Sequence, residues 1–346
     1  MFPLKTGVSY FGNRFLRHFQ KDLQEIRRAH CNFIVLTFSE TDLQYYEGTM
    51  GDFVKASHDK GLEVYLDPWG VGRAFGGESY SEFLLHHPQT RQVSSTGNPL
   101  PIACLNHPLF HQFMRRWCEA VFRMKIDTFF WDEPHFYLFR KSSKKQQWSC
   151  RCAVCQVLFR KREGHQMPAV CTSAVERFRE WTLVKFLKRL CDFTKREGFR
   201  NAVCFLPRSK VFDRDSLKDW SKVARLPSVD ILATDPYWHP RQDVQGYVGS
   251  HAEELVALTR LYRKEPQLWI LNYRIPRGDE KKISLAVQTA YEAGIRNVAA
   301  WSYWGTGQMS FLTSRNPDKV WATLSRAYRT LHKKDQSGGM KQSLTL

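Results

Sequence analysis

The chain has 346 residues, 42% of them hydrophobic and 14% aromatic, and a formal charge of +18 from 52 Lys and Arg against 34 Asp and Glu. That length buries a substantial core in one large domain or two ordinary ones, and the composition is that of a globular protein. No apolar run approaches the ~20 residues of a membrane span, and Met1-Phe2-Pro3-Leu4-Lys5-Thr6 lacks the charged-then-apolar pattern of a secretion signal. The basic residues are spread along helical patterns (Arg14, Arg17, Lys21, Arg27, Arg28; Lys185, Lys188, Arg189, Lys195, Arg196), so the charge reads as a solvated surface. Neither nucleic acid nor a membrane is expected as a partner. Nine cysteines, an odd number, argue for reduced thiols or metal ligands over disulfides, and a cytoplasmic location is expected.

Short apolar runs alternate with amphipathic segments in chain order. Strands are expected at Thr6–Phe11, Phe33–Phe38, Glu63–Leu66, Thr128–Trp131, Ala202–Leu206, Asp230–Ala233, Leu268–Leu271 and Val298–Trp301. Helices are expected over Phe15–Arg28 and near 50–60, 108–124, 173–197, 214–224, 250–263, 281–293 and 316–332. Gly61, Gly198 and Gly294 each stop a helix shortly before the next strand. Eight β-then-α units predict an α/β fold, a (β/α)₈ TIM barrel spanning residues 1–335, with long loops after the third strand (70–107) and the fourth (134–172). Residues 336–346 are expected to form a disordered tail. The first strand ends Ser9-Tyr10-Phe11-Gly12-Asn13, which is no dinucleotide fingerprint.

Phe129-Phe130-Trp131-Asp132-Glu133-Pro134-His135 places two carboxylates at the end of the fourth strand, where barrels keep their chemistry. Because strand neighbours face opposite ways, only one of Asp132 and Glu133 is expected to point squarely into the mouth. The other strand ends add Tyr10, Glu40, Asp67, Trp69, His135, Arg208, Asp235, Tyr237, Trp238, Asn272, Tyr273, Arg274, Trp301, Tyr303 and Trp304. Aromatic faces stack on sugar rings while carboxylates bind hydroxyls and transfer protons, so this mouth predicts a carbohydrate-acting enzyme. A strand-end Asp before Pro is also a common turn residue, as at Asp67-Pro68 and Asp235-Pro236.

Trp131-Asp132-Glu133-Pro134 resembles the strand-four motifs of barrel glycoside hydrolases. In one clan an Asn-Glu-Pro triplet carries the acid/base, which implies that role for Glu133. In the α-galactosidase and α-glucosidase clan, a strand-four Asp is the nucleophile and a strand-six Asp the acid/base, which implies Asp132 and Asp235. The first clan also has a Glu at the end of strand seven, where this chain has Asn272-Tyr273-Arg274. The expectation is therefore hydrolysis of a glycosidic bond, with Asp132 attacking or orienting and Glu133 or Asp235 donating the proton. Tyr10, Glu40, Asp67, Trp69, His135, Tyr237, Trp238, Asn272, Arg274, Trp301 and Trp304 are expected to bind substrate. Two rivals stand beside this: an inactive, carbohydrate-binding relative, and an enzyme of phosphorylated or polyanionic substrates, suggested by the charge and by Gly305-Thr306-Gly307.

Cys150-Arg151-Cys152-Ala153-Val154-Cys155 has the spacing of a tetrahedral zinc site that lacks a fourth ligand. Cys104, His107, His165 and Cys171 are the candidates for it. The pattern resembles the zinc-containing bacterial β-galactosidases, where a Cys before the third helix joins a C-x-C-x-x-C group after strand four. That resemblance implies Cys104, and a structural zinc pinning one long loop to the other. Cys31, Cys118, Cys191 and Cys204 sit in apolar contexts and are expected to pack.

Overall fold

Each apolar run becomes a strand because its β-branched and aromatic residues suit a sheet buried on both faces. The computed structural model describes residues 2–139, 147–208 and 215–343. The barrel strands are β1 (Lys5–Tyr10), β2 (Phe33–Thr37), β3 (Glu63–Asp67), β6 (Thr128–Trp131), β7 (Arg200–Phe205), β8 (Ile231–Thr234), β9 (Glu265–Leu271) and β10 (Asn297–Trp301). All pair in parallel and in sequence order, and β10 closes on β1, as predicted for a (β/α)₈ barrel. The loop after β3 holds an antiparallel hairpin, β4 (Arg91–Val93) with β5 (Pro99–Ala103).

The helices are α1 (Leu16–Arg28), α2 (Glu40–Tyr45), α3 (Glu47–Asp59), α4 (Glu82–His86), α5 (Pro108–Met124), α6 (Ala153–Glu163), α7 (Ser173–Arg196), α8 (Ser221–Ala224), α9 (Val244–Tyr262), α10 (Lys281–Glu292) and α11 (Pro317–Ser343). The helix α11 therefore continues past residue 335, where a disordered tail was expected to begin; residues 344–346 lie outside the described residues. No helix among the described residues is long and apolar enough to cross a membrane.

Side-chain alternation along the strands sorts the core into two parts. Phe33, Val35, Tyr65, Phe130, Ala202, Cys204, Ile231, Ala233, Trp269 and Ala299 fill the barrel interior. Val8, Leu36, Leu66, Phe129, Trp131, Leu232, Ile270 and Val298 face outward against the helices. The same parity decides what each strand offers at its end. Asp67 follows inward Tyr65, Asp132 follows inward Phe130, and Asp235 follows inward Ala233.

Candidate active site

At the C-terminal ends of the strands lies a cavity of about 710 Å³, bounded by Glu78, Asp132, Glu133 and Asp235 and by Phe130, Tyr237, Trp269, Tyr273 and Trp301. Leu138, Leu206, Pro207, His239, Gln242 and Tyr247 complete its walls. Phe130 packs on Trp269 with ring centroids 5.0 Å apart. Trp301 is backed by Phe11, stacked at 5.3 Å and 10°.

Asp132 and Glu133 both reach this cavity, against the expectation that only one would. The chain leaves strand geometry at Glu133, whose φ is +41°, so the alternation of β6 ends there. Glu133 N still donates to Cys204 O of β7 at 3.1 Å, while Asp132 O accepts from Gly76 N at 3.1 Å. A Cβ on Gly76 would lie 2.1 Å from Asp132 Oδ2 and 3.3 Å from Glu133 Oε2, so both carboxylates crowd one bare backbone position. Gly77 leaves similar room for the Trp69 ring.

The carboxyls form a mutually repelling group. Burial, then the Asp132, Glu133 and Glu78 charges, push Asp67 well above the usual carboxylate range. Asp132 is raised by burial and by Glu133 and Glu78, against a stabilising hydrogen bond from Cys204. Asp235 is raised by burial, by the Glu133 charge and by a side-chain hydrogen bond with Glu133. Glu78 is raised chiefly by burial, partly offset by Arg73 and Arg274. Neither oxygen of Asp67, nor Asp235 Oδ1, has a hydrogen-bond partner.

The structure gathers some of the expected substrate-binding residues and removes others. Tyr237 and Trp301 line the cavity. Asp67 lies fully buried beside Asp132, and Trp69 packs on Phe11 one layer behind the wall. Arg274 lies over the Phe311 ring and close enough to Glu78 to act on its charge.

Tyr10 has outward parity, and its hydroxyl donates to Asp22 of α1. Glu40 is buried and accepts from Gly72 N, Ser81 Oγ and Phe83 N, so it holds the loop after β3 in place. Burial lowers the pKa of His135, whose Nδ1 lies against Glu133 O. Trp238 is buried in the outer core. Asn272 donates to Ser302 O at 2.8 Å and ties β9 to β10. Trp304 donates to Asp318 of α11. Arg208 pairs with Glu254 of α9 at 3.0 Å. None of these seven lines the cavity.

Gly305-Thr306-Gly307 is no open phosphate cradle: Val320 and Ser314 close on Gly305, and Pro317 and Trp304 on Gly307. Among the polar and aromatic lining residues, sequence reasoning missed Glu78, His239, Gln242, Tyr247 and Trp269. Glu78 alone carried a signal, as the acid after a Gly-Gly pair in a long loop.

Cys104, Cys150, Cys152 and Cys155 are buried with their sulfurs within 4.8 Å of one another. Cys104 Sγ lies 3.5 Å from Cys152 Sγ and 3.5 Å from Cys155 Sγ. A regular tetrahedron with Zn–S bonds of ~2.3 Å has S···S edges of ~3.8 Å, so the four thiols fit a zinc ion. Asn106 Nδ2 donates to Cys155 Sγ and to Thr182 Oγ1 of α7, an outer contact that orients the sulfur. His107 instead caps α5 through Leu109 N, His165 is exposed, and Cys171 stands apart from the group. The cluster joins the loop after β3 to the loop after β6. A chain of contacts runs from it towards the cavity. Gln92 Oε1 accepts from Ser149 Oγ at 2.6 Å and from Tyr137 N at 3.3 Å, next to cavity residue Leu138.

No family model matches this chain, and no curated protein matches it. Solved structures are similar in fold. A GH42 β-galactosidase from G. stearothermophilus superposes with a TM-score of 0.73 at 12% identity, over 96% of this chain and 57% of that one. An endo-1,4-β-mannanase from Rhizomucor miehei gives 0.64 at 8% identity, covering 95% of each chain. The catalytic domain of a β-amylase from Paenibacillus polymyxa gives 0.63 at 10%, covering 93% of this chain and 98% of that one. The chain thus spans just over half of the β-galactosidase and nearly all of the other two. What these likenesses establish is the fold, an eight-stranded (β/α)₈ barrel of the kind glycoside hydrolases use.

Proposed function

We propose that this protein hydrolyses a glycosidic bond of a glycoside or oligosaccharide with carboxylates from β6 and β8. The observation carrying this reading is the convergence of Asp132, Glu133 and Asp235 on one aromatic-lined cavity at the strand ends. Trp301 and Tyr273 supply ring faces for a pyranose above the buried Trp269, and the acids supply proton transfer.

The Glu133 carboxyl raises Asp235 both through its charge and through a side-chain hydrogen bond, so the two acids act on one another at the mouth of the barrel. Asp235, held above the usual carboxylate range by burial and by the Glu133 charge, protonates the leaving oxygen. Ionised Asp132 then either attacks the anomeric carbon as the leaving oxygen departs, forming a glycosyl ester that water cleaves while Asp235 takes its proton, or accepts the proton of a water that attacks there. A structural zinc on the four cysteines would fix the wall beside the cavity and take no part in the reaction, since four protein ligands leave no open position.

The test is a panel of aryl glycosides and oligosaccharides assayed with the wild-type, Asp132→Asn and Asp235→Asn proteins. Each substitution is expected to lower turnover at least about 100-fold. Full activity in both variants would overturn the assignment.

A second reading is a sugar-binding barrel without turnover. It is favoured by the absence of a carboxylate at the end of β9, which runs into Asn272-Tyr273-Arg274. Sugar binding without hydrolysis of any member of the panel would establish it.

A further inference from the structure

Glycoside hydrolysis needs two carboxyl groups, and this cavity has more. Glu78, Asp132, Glu133 and Asp235 line it, and Asp67 lies buried directly behind Asp132. No Lys or Arg lines it among the described residues, in a chain of net charge +18. Arg73 is turned to the carbonyls of Gly77 and Ser79, and Arg274 lies over Phe311.

Asp235, which lines the cavity, is more than nine-tenths buried with its Oδ1 unsatisfied, and both oxygens of Asp67 behind the wall are unsatisfied as well. Buried, unpartnered carboxyls are costly, and they persist where a ligand completes them. A metal ion does not fit that role. Among the described residues, the cysteine quartet is the one group of His, Cys, Asp or Glu side chains arranged to hold a metal. The cavity is instead large and walled by the rings of Trp269, Trp301, Tyr273 and Tyr237. Carboxylates with aromatic faces are the surroundings of an organic cation.

We propose that the cavity receives a sugar bearing a protonated amine, its ammonium held by the carboxylate wall of Asp235, Glu78, Asp132 and Glu133. This rests on the reading of the cavity as a sugar site and adds the charge of the sugar. The ammonium donates up to three hydrogen bonds to acids that otherwise repel one another, while the pyranose face stacks on the rings. An ammonium beside Asp132 and Asp235 favours their ionised forms and lowers their raised pKa values, so binding is expected to release protons to the buffer.

The experiment is titration calorimetry on the full-length wild-type protein with glucosamine, galactosamine and mannosamine. Glucose, galactose and mannose, and the three N-acetyl forms, serve as comparisons. At a pH where the amine is protonated, at least one amino sugar is expected to bind about tenfold or more tighter than its hydroxyl counterpart, because charge-assisted hydrogen bonds replace neutral ones. The preference is expected to vanish on N-acetylation, and the heat to vary with the buffer's ionisation enthalpy. Glu78→Gln is expected to narrow the ratio between amino and neutral sugar.

Equal or tighter binding of the neutral sugars, or no binding of any amino sugar, would overturn the proposal. These ligands contain no bond to be cleaved, so the result is separate from turnover. A protein that prefers amino sugars yet hydrolyses nothing keeps this inference and loses the hydrolase reading. One that cleaves neutral glycosides without an amino-sugar preference does the reverse.

Discussion

Glu133 from the end of β6 and Asp235 from the end of β8 line the same cavity at the mouth of the barrel, and the Glu133 carboxyl holds Asp235 above the usual carboxylate range. Burial and the neighbouring Glu133 charge both disfavour the ionised form of Asp235, so it retains a proton where an isolated carboxylate would have lost it.

Stability should therefore fall as pH rises. Asp235 titrates near ~3.9 in the unfolded chain and well above that in the folded one. Between those two values the folded state binds the extra proton, so stability is highest at the acid end of the window and declines through it. Asp235→Asn should be more stable than wild type at neutral pH and should have a flatter dependence of Tm on pH. Each unit of difference between folded and unfolded pKa is worth about 1.4 kcal/mol. Thermal melts of both proteins from acid to neutral pH check this; parallel curves would refute it.

Gly76→Ala should impair the site without unfolding the barrel. The new Cβ would sit 2.1 Å from Asp132 Oδ2, so the carboxylate must move. A displacement of about 1 Å at a reacting group costs on the order of 100-fold in turnover. The check is a large fall in turnover with Tm shifted by only a few degrees.

Zinc binding should be stoichiometric and coupled to stability. One zinc per chain is expected by elemental analysis, and Cys104→Ser or Cys155→Ser should abolish it. Chelation should lower Tm and open the loops after β3 and β6 to protease, because the four sulfurs hold those two segments together. Unchanged melting after complete metal removal would argue against a structural role.

Arg179→Met should destabilise the wall of the cavity from a distance. Arg179 is buried on α7, pairs with Asp215 at 2.8 Å and donates to Ser149 O at 2.6 Å, beside Cys150. Asp215 O in turn accepts from Phe136 N in the segment following the acids. Breaking a buried pair by removing one partner costs about 3–5 kcal/mol. Denaturant unfolding of the variant, with Asp215→Asn/Arg179→Met as the double variant, separates the pair's coupling from the loss of either side chain.

The periodicity of the chain alone determined the eight strands, their order and the position of Asp132 and Glu133 at a strand end. It did so because buried parallel strands and amphipathic helices leave different apolar spacings. The four clustered cysteines were legible for a similar reason, since thiol ligands declare themselves by residue type. Cavity membership was not legible. Tyr10, Trp238 and Trp304 stand at strand ends but turn away, because a single residue of parity or one turn reverses a side chain. Glu133 joins Asp132 only because the backbone takes φ +41° there and Gly76, distant in sequence, leaves the space. Glu78 enters the wall only through the fold of the loop after β3. Local sequence sets which residues stand at a strand's end; which of them share a cavity depends on contacts between segments far apart in the chain, and those exist only once the barrel has closed.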